Sequence, residues 1–180
     1  MMAKKVLVLS ASPRKGGNSD LLCDQFTLGA REVGHEAEKI FLRDKTINYC
    51  TACDACQGNG GKCVHEDDMA EILEKMIGAD VIVMATPVWF FSMNGQMKTL
   101  IDRTVARYTE IRNKEMYFIM TAAVGQKALL DRTLEGFRGF VDCLEKAREK
   151  GVVYGTGAWK VGEIVGSPAM KQAYDLGKRA

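Results

Sequence analysis

Short continuous apolar runs alternate along the chain with longer stretches in which apolar residues stand three and four apart. Residues 6–9, Val-Leu-Val-Leu, are the first such run, and they end in the turn-rich sequence Ser10-Ala-Ser-Pro-Arg-Lys-Gly-Gly-Asn-Ser19. This predicts a buried strand feeding a loop. Beyond the loop, Leu21, Leu22, Phe26 and Ala30 recur at helical spacing, with Asn18 or Ser19 placed to cap the helix. Residues 38–42 read as a weaker second strand. Asp67 and Asp68 open a helix whose stripe is Met69, Ile72, Leu73, Met76 and Ile77, the spacing of one buried face. Residues 81–85, Val-Ile-Val-Met-Ala, are nearly all apolar, which predicts a central strand covered on both sides and ended by Thr86-Pro87. A stripe of Met97, Leu100, Ile101 and Val105 follows. After it come a strand at residues 116–120, a long helix from about 128 to 150, a last strand at about 152–154 and a helix beginning after Pro168.

Strands alternating with helices predict a parallel sheet with helices on both faces, and five strands is the flavodoxin-like count. The expected fold is therefore an α/β three-layer sandwich with a five-stranded parallel sheet of order 2-1-3-4-5. At 180 residues the chain suits one domain with a well-buried core, so 1–180 is read as a single unit. The cysteine-rich stretch at about 43–66 becomes a surface excursion from it. With 47% hydrophobic and 27% charged residues the composition is that of a globular protein, and the net charge of +2 is spread along the length. That distribution argues against nucleic acid or a membrane as a partner. The apolar run after Lys4 and Lys5 is far shorter than a signal-peptide core or a membrane span, so the expected location is cytoplasmic.

In a sheet of this order, ligands sit beyond the carboxyl ends of the strands, at the switch point between the first and third. The loop after strand one, residues 10–19, lacks acidic residues, carries Arg14 and Lys15, and leads into a helix N-terminus. Such a loop suits a phosphate. Neither the P-loop pattern nor the G-x-G-x-x-G dinucleotide fingerprint is present, so the phosphate fits a mononucleotide better; a plain helix-capping turn is the alternative. The loop after strand three, residues 86–94, places Trp89, Phe90 and Phe91 together. Three aromatics there suit the border of a flat ring, or else packing beneath the next helix or a dimer patch. The small residues of the loop after strand four, 121–125, allow close backbone approach.

Four of six cysteines follow the pattern Cys50-x2-Cys53-x2-Cys56-x6-Cys63. Successive spacings of two match the compact style of iron-sulfur ligation, whereas zinc sites more often use two separated pairs. Gly58, Gly60 and Gly61 allow the chain to turn Cys63 back towards the other three. A cluster, free thiols, and zinc or a disulfide all remain open at this point. Cys23 and Cys143 fall in helical stripes and are expected to be buried, while His35 and His65 are expected at the surface or as caps.

Taken together, Ser12-Pro-Arg-Lys-Gly-Gly-Asn-Ser19, Thr86-Pro-Val-Trp-Phe90 and Gly95-Gln-Met-Lys-Thr-Leu-Ile-Asp-Arg103 resemble the NADPH-dependent FMN reductase superfamily. The compact cysteine motif makes the likeness strongest to the iron-sulfur flavoprotein branch. The resemblance implies non-covalent FMN, held by Ser10, Ser12, Pro13, Arg14, Lys15, Gly17, Asn18 and Ser19 at its phosphate. Its ring would lie against Thr86, Pro87, Val88, Trp89, Phe90 and Phe91, with Thr121, Ala122 and Gly125 approaching through backbone. It further implies a 4Fe-4S cluster on Cys50, Cys53, Cys56 and Cys63, and a homodimer or homotetramer whose interface is built in part by the helix carrying Lys98, Asp102 and Arg103. The expected activity is an FMN-dependent oxidoreductase working with NAD(P)H, a ferredoxin or a quinone as electron donor or acceptor, the flavin carrying the chemistry in place of catalytic side chains. A cluster-free NAD(P)H-dependent FMN or quinone reductase is the alternative, and a thiol-based redox sensor the third reading. A signalling receiver domain is disfavoured, because Ser10-Ala-Ser and Thr86-Pro87 stand where it needs acidic residues.

Overall fold

Residues 2–180 are described by a computed structural model. Five parallel strands, β1 (Lys5–Ser10), β2 (Glu36–Phe41), β3 (Val81–Trp89), β5 (Glu115–Ala122) and β6 (Arg148–Thr156), lie in the order β2-β1-β3-β5-β6. This is the predicted 2-1-3-4-5 arrangement of a flavodoxin-like sheet. A sixth strand, the two-residue β4 (Ser92–Met93), folds back antiparallel onto the end of β3.

Strand periodicity divides the core into two layers, because successive side chains point to opposite faces. Leu7, Leu9, Ile82, Met84, Met116 and Phe118 pack under α3 (Met69–Gly78), which follows the single-turn α2 (Ala55–Gly58) of the cysteine stretch, and under α4 (Gly95–Arg103) and α5 (Asp131–Asp142). Phe118 stacks on Phe137 of α5 with ring centroids 4.8 Å apart. Their neighbours Val6, Val8, Val81, Val83, Tyr117 and Ile119 pack under α1 (Asn18–Glu32) and α6 (Pro168–Gly177). Those two helices cross backbone to backbone. A Cβ on Gly29 would stand 2.1 Å from the Tyr174 carbonyl oxygen, and one on Gly177 the same distance from that of Phe26. Only hydrogen fits at either position.

Several sequence expectations are corrected. Strand β3 does not stop at Thr86-Pro87 but continues to Trp89, because β4 pairs with its end. The long helix expected over 128–150 is a 3-10 turn and then α5, which ends at Asp142; residues 148–150, Arg-Glu-Lys, belong to β6. There the Asn113 N–H donates to the Glu145 carbonyl and Arg148 N–H to that of Lys114, so sheet pairing overrides helical propensity. Cys143, at the end of α5, is exposed, and Val105 is 41% exposed. His35 is buried rather than superficial: Nδ1 accepts the Lys4 N–H at 3.2 Å, which makes Nε2 the donor to the Ala180 carbonyl at 2.8 Å. No helix among the described residues is long and apolar enough to cross a membrane.

The C-terminal end of α3 is closed by Lys114, a buried lysine whose Nζ donates to the carbonyls of Ile77 at 2.7 Å and Ala79 at 2.5 Å. Burial holds its ammonium below the ordinary lysine range, with Asp80 acting against that. A Lys114→Met variant keeps the aliphatic stem and strands both carbonyls. It is expected to lose about 1–2 kcal/mol in urea unfolding; an unchanged midpoint would show that water replaces the ammonium without loss.

Candidate functional site

The carboxyl ends of β1, β3 and β5 open into a cavity of about 300 Å³. The loop after β1 contributes Ser12, Pro13, Arg14, Gly17, Asn18 and Ser19; β3 and its turn contribute Pro87, Val88, Trp89, Phe90 and Phe91; Thr121 and Ala122 come from β5. Four residues expected at the site do not line it. Ser10 is buried beneath the loop with its hydroxyl donating to Asp20, Thr86 is buried and bonded to Asn94, and Lys15 and Gly125 face solvent.

The loop after β1 is built by short-range hydrogen bonds. Ser12 Oγ donates to the Arg14 carbonyl at 2.8 Å and accepts the Arg14 N–H, and the Gly17 N–H closes the turn on the same carbonyl. A Cβ on Gly17 would lie 2.4 Å from Ser12 Oγ, so the turn demands glycine there. Helix α1 is then capped by Gly17 without a side-chain cap, correcting the expectation for Asn18 or Ser19. Ser19 Oγ is buried and has no hydrogen-bond partner. A buried hydroxyl at a helix N-terminus, lining an open cavity, is a donor without its acceptor. Beneath it, Asp20 accepts from Ser10, the Gly16 N–H and Lys39 Nζ. Burial works against the Lys39 ammonium, but hydrogen bonds to Asp20 and Asp24 hold it above its usual range. Burial, reinforced by Asp20, pushes the Cys23 thiol far above the usual range, so it stays neutral in the core.

The opposite wall is a hairpin. Phe90 and Phe91 have φ of +49° and +62°, left-handed values at both central positions of a two-residue turn. Asn-Gly normally occupies such a turn; phenylalanines there cost on the order of 1–3 kcal/mol each. Phe90 is 97% exposed. Asn94, which sequence reasoning missed, fastens the hairpin. Its backbone N–H donates to Thr86 Oγ1, its Nδ2 donates to the Ala11 carbonyl at 2.6 Å, and its Oδ1 caps α4 by accepting the Met97 N–H. An Asn just before an apolar helical stripe is a capping signal legible in the sequence. Ala123 and Val124 of the expected 121–125 loop also line the cavity, whereas the wall supplied by Ala158, Trp159 and Val161 was unforeseen.

A second cavity, of about 310 Å³, is lined by all four motif cysteines together with His65 and Arg103. The excursion that carries them is closed at its base: the Asp68 N–H donates to the Thr46 carbonyl at 3.0 Å, and Asp68 accepts the Thr46 N–H at 2.6 Å. Its interior is pinned by Arg103 of α4. That guanidinium donates to both oxygens of Asp67, to the Asn48 carbonyl at 2.6 Å and to Cys63 Sγ at 3.4 Å. Burial opposes the Asp67 charge, but Arg103 and the N–H groups of Asn48 and Met69 hold its pKa at about 2. Cys50 Sγ accepts the Ala52 N–H at 3.5 Å and Cys56 Sγ faces Gln57 Nε2 at 3.7 Å, while His65 Nε2 is buried without a partner. Thus four cysteines line one space, with N–H donors aimed at three of their sulfurs, a donor set of the right kind for an iron-sulfur group. Among the described residues no three potential ligands are drawn together closely enough to hold a metal ion as they stand. Lys98 and Asp102, also expected on this helix, form an exposed pair at 2.5 Å.

The fold is that of a flavodoxin-like protein, with a cavity beyond the carboxyl ends of β1, β3 and β5 where its sheet order switches direction. The profile described as NADPH-dependent FMN reductase matches residues 4–144, and the chain belongs to that family of FMN-dependent oxidoreductases. It is 32% identical to an iron-sulfur flavoprotein of Archaeoglobus fulgidus over 97% of this chain and 78% of that one. It is 43% identical to an iron-sulfur flavoprotein of Methanocaldococcus jannaschii over 56% of this chain, a match that spans 51% of that protein. In three dimensions it is similar to a NAD(P)H:quinone oxidoreductase from Methanothermobacter marburgensis, with a TM-score of 0.79 over 99% of this chain and 96% of that one, at 16% identity.

Proposed function

We propose that the chain holds FMN non-covalently in the 300 Å³ cavity, receives electrons there from NAD(P)H and passes them to an acceptor through a 4Fe-4S cluster on Cys50, Cys53, Cys56 and Cys63. The observation that carries the flavin reading is the pairing of an unpartnered buried Ser19 hydroxyl and a helix N-terminus with the aromatic wall of Trp89 to Phe91. One end suits a phosphate and the other a planar ring.

Bound FMN would supply hydride and one-electron chemistry, and a bound cluster would exchange electrons singly. The residues of the chain bind and orient. Ser19 Oγ donates its proton in a hydrogen bond to a phosphate oxygen, Arg14 offers a fixed positive charge, and Gly17 keeps the backbone close enough for its N–H groups to take part. Pro87, Val88 and Trp89 cover the ring and keep water from it, and the backbone at Thr121 and Ala122 approaches from the third side. At the second cavity Arg103 presents an N–H to Cys63 Sγ, a donor to a sulfur that would be one ligand of the group. The same reading takes the chain to work in the cytoplasm as a homodimer or homotetramer.

One observation favours a second reading, a cluster-free NAD(P)H-dependent reductase: the cysteines are free and not drawn into a closed cage. Protein purified without oxygen is expected to show paired flavin bands over a broad brown shoulder, with iron bound. A Cys53→Ser/Cys56→Ser variant should keep the flavin bands and lose shoulder and iron together. Flavin bands without iron in the unaltered protein would establish the second reading, and absence of flavin would remove both.

A further inference from the structure

Asn18 stands inside the loop expected to hold the phosphate, yet both ends of its side-chain amide are already engaged. Nδ2 donates to the Lys160 carbonyl at 2.9 Å, and Oδ1 accepts the Ile164 N–H at 3.3 Å. The segment it grips, residues 157–166, is an arch. Ala158 and Ile164 are its buried feet, set in the core layer beneath α1 and α6. Between them Glu163 accepts the N–H groups of Trp159 and Lys160 at 2.7 and 2.8 Å, and left-handed Gly157, Gly162 and Gly166 make the bends. A second tie runs from Arg14 Nη1 to the Trp159 carbonyl at 3.2 Å. The span of the arch carries Trp159 and Val161 into the lining of the flavin cavity while leaving them 63% and 54% exposed.

We propose that Asn18 is a positioning residue: it latches the 157–166 arch against the cavity, and Trp159 on that arch is a specificity-determining wall for the ring of the ligand. Asn18 then acts on the ligand through Trp159 and not through the phosphate. The part of this concerning the ligand rests on the flavin reading, whereas the latch does not.

The test compares FMN with riboflavin, which has the ring and lacks the phosphate, on apoprotein of the unaltered chain, Asn18→Ala, Trp159→Ala and the double variant. Two lost neutral hydrogen bonds correspond to about a tenfold effect. Asn18→Ala is expected to weaken both flavins by the same factor of about ten. Trp159→Ala should do likewise, and the double variant should be no weaker than the weaker single one, because the two act as a unit. Amide exchange in 157–166 should quicken about tenfold in Asn18→Ala while that of β1 and β3 is unchanged. Asn18→Ser, a smaller polar residue that adds no charge beside the phosphate loop, should weaken both flavins alike by no more than Asn18→Ala, and it serves if the alanine variant fails to fold. A loss confined to FMN would make Asn18 a phosphate ligand and overturn the proposal, as would additive losses or unchanged exchange. Should the unaltered chain bind neither flavin, the flavin reading and the role of Trp159 fall together, and the exchange comparison still decides the latch.

Discussion

An Arg103→Met variant is expected to lose about 3–5 kcal/mol of stability, the usual effect of removing one partner from a buried ion pair. The side chains of Arg103 and Asp67 are 2% and 1% exposed, so neither charge has water to fall back on. Methionine fills the space of the stem but leaves a buried carboxylate with only neutral donors, the backbone N–H groups of Asn48 and Met69 and the Asn48 side-chain amide. The pH dependence follows from the same pair. Because the folded state holds Asp67 at about 2, below the ordinary aspartate value of 3.8, the unfolded chain binds more protons between those values. Stability from this group is therefore full above pH ~4 and falls away as pH drops through about 2, by roughly 2 kcal/mol in all. In Arg103→Met that acid slope should vanish or reverse. Replacing both residues, as in Arg103→Met/Asp67→Leu, should recover most of the loss, since no lone charge remains buried. Urea unfolding from pH 2 to 7 measures all of this, and a single variant within 1 kcal/mol of the parent would mean the pair is solvated.

Ser19→Ala is expected to act with opposite signs on the empty and the loaded protein. Its hydroxyl is buried without a partner, so removing it should leave the empty protein as stable as before or more stable by up to about 1 kcal/mol. A hydrogen bond to a charged phosphate is worth about 1.5–3 kcal/mol, so FMN affinity should fall roughly 10- to 100-fold. Riboflavin affinity should not change. Melting of the empty protein and titration with both flavins read the two signs separately. Unaltered FMN affinity would mean that the hydroxyl does not meet the phosphate.

How far the sequence could be read depended on whether local pattern or distant pairing decided the outcome. The continuous run at 81–85 and the stripe from Met69 to Ile77 announced themselves because burial alone sets their periodicity. Residues 145–150, Glu-Lys-Ala-Arg-Glu-Lys, carry strong helical preference and no apolar signal, and only the register of β6 against β5 turns their second half into strand. The hairpin at Trp89 to Ser92 was hidden for a similar reason: nothing in Phe-Phe suggests a left-handed turn, which is imposed by the pairing of Val88 with Met93. At the site, the loops at the ends of β1 and β3 were legible because topology nominates them. Trp159 was not, since it joins the cavity through a latch 141 positions away at Asn18. Arg103 was expected at an interface and instead pins the cysteine excursion, a role visible only once α4 brings it to Asp67.

The closure of that excursion at Thr46 and Asp68 bears on how such proteins can diversify. One backbone bond and one bond to the Asp68 carboxylate at the neck mean that the sheet sees only a fixed pair of attachment points, whatever lies between them. Each doubling of a flexible loop costs only about 0.6 kcal/mol in closure entropy, so the span between the anchors Asn48 and Asp67 can lengthen, shorten or change cysteine spacing with little disturbance to the fold beneath. A change in the span between Asn48 and Asp67 is therefore carried by the neck and by Arg103, and the sheet that carries the first cavity need not be rebuilt for it.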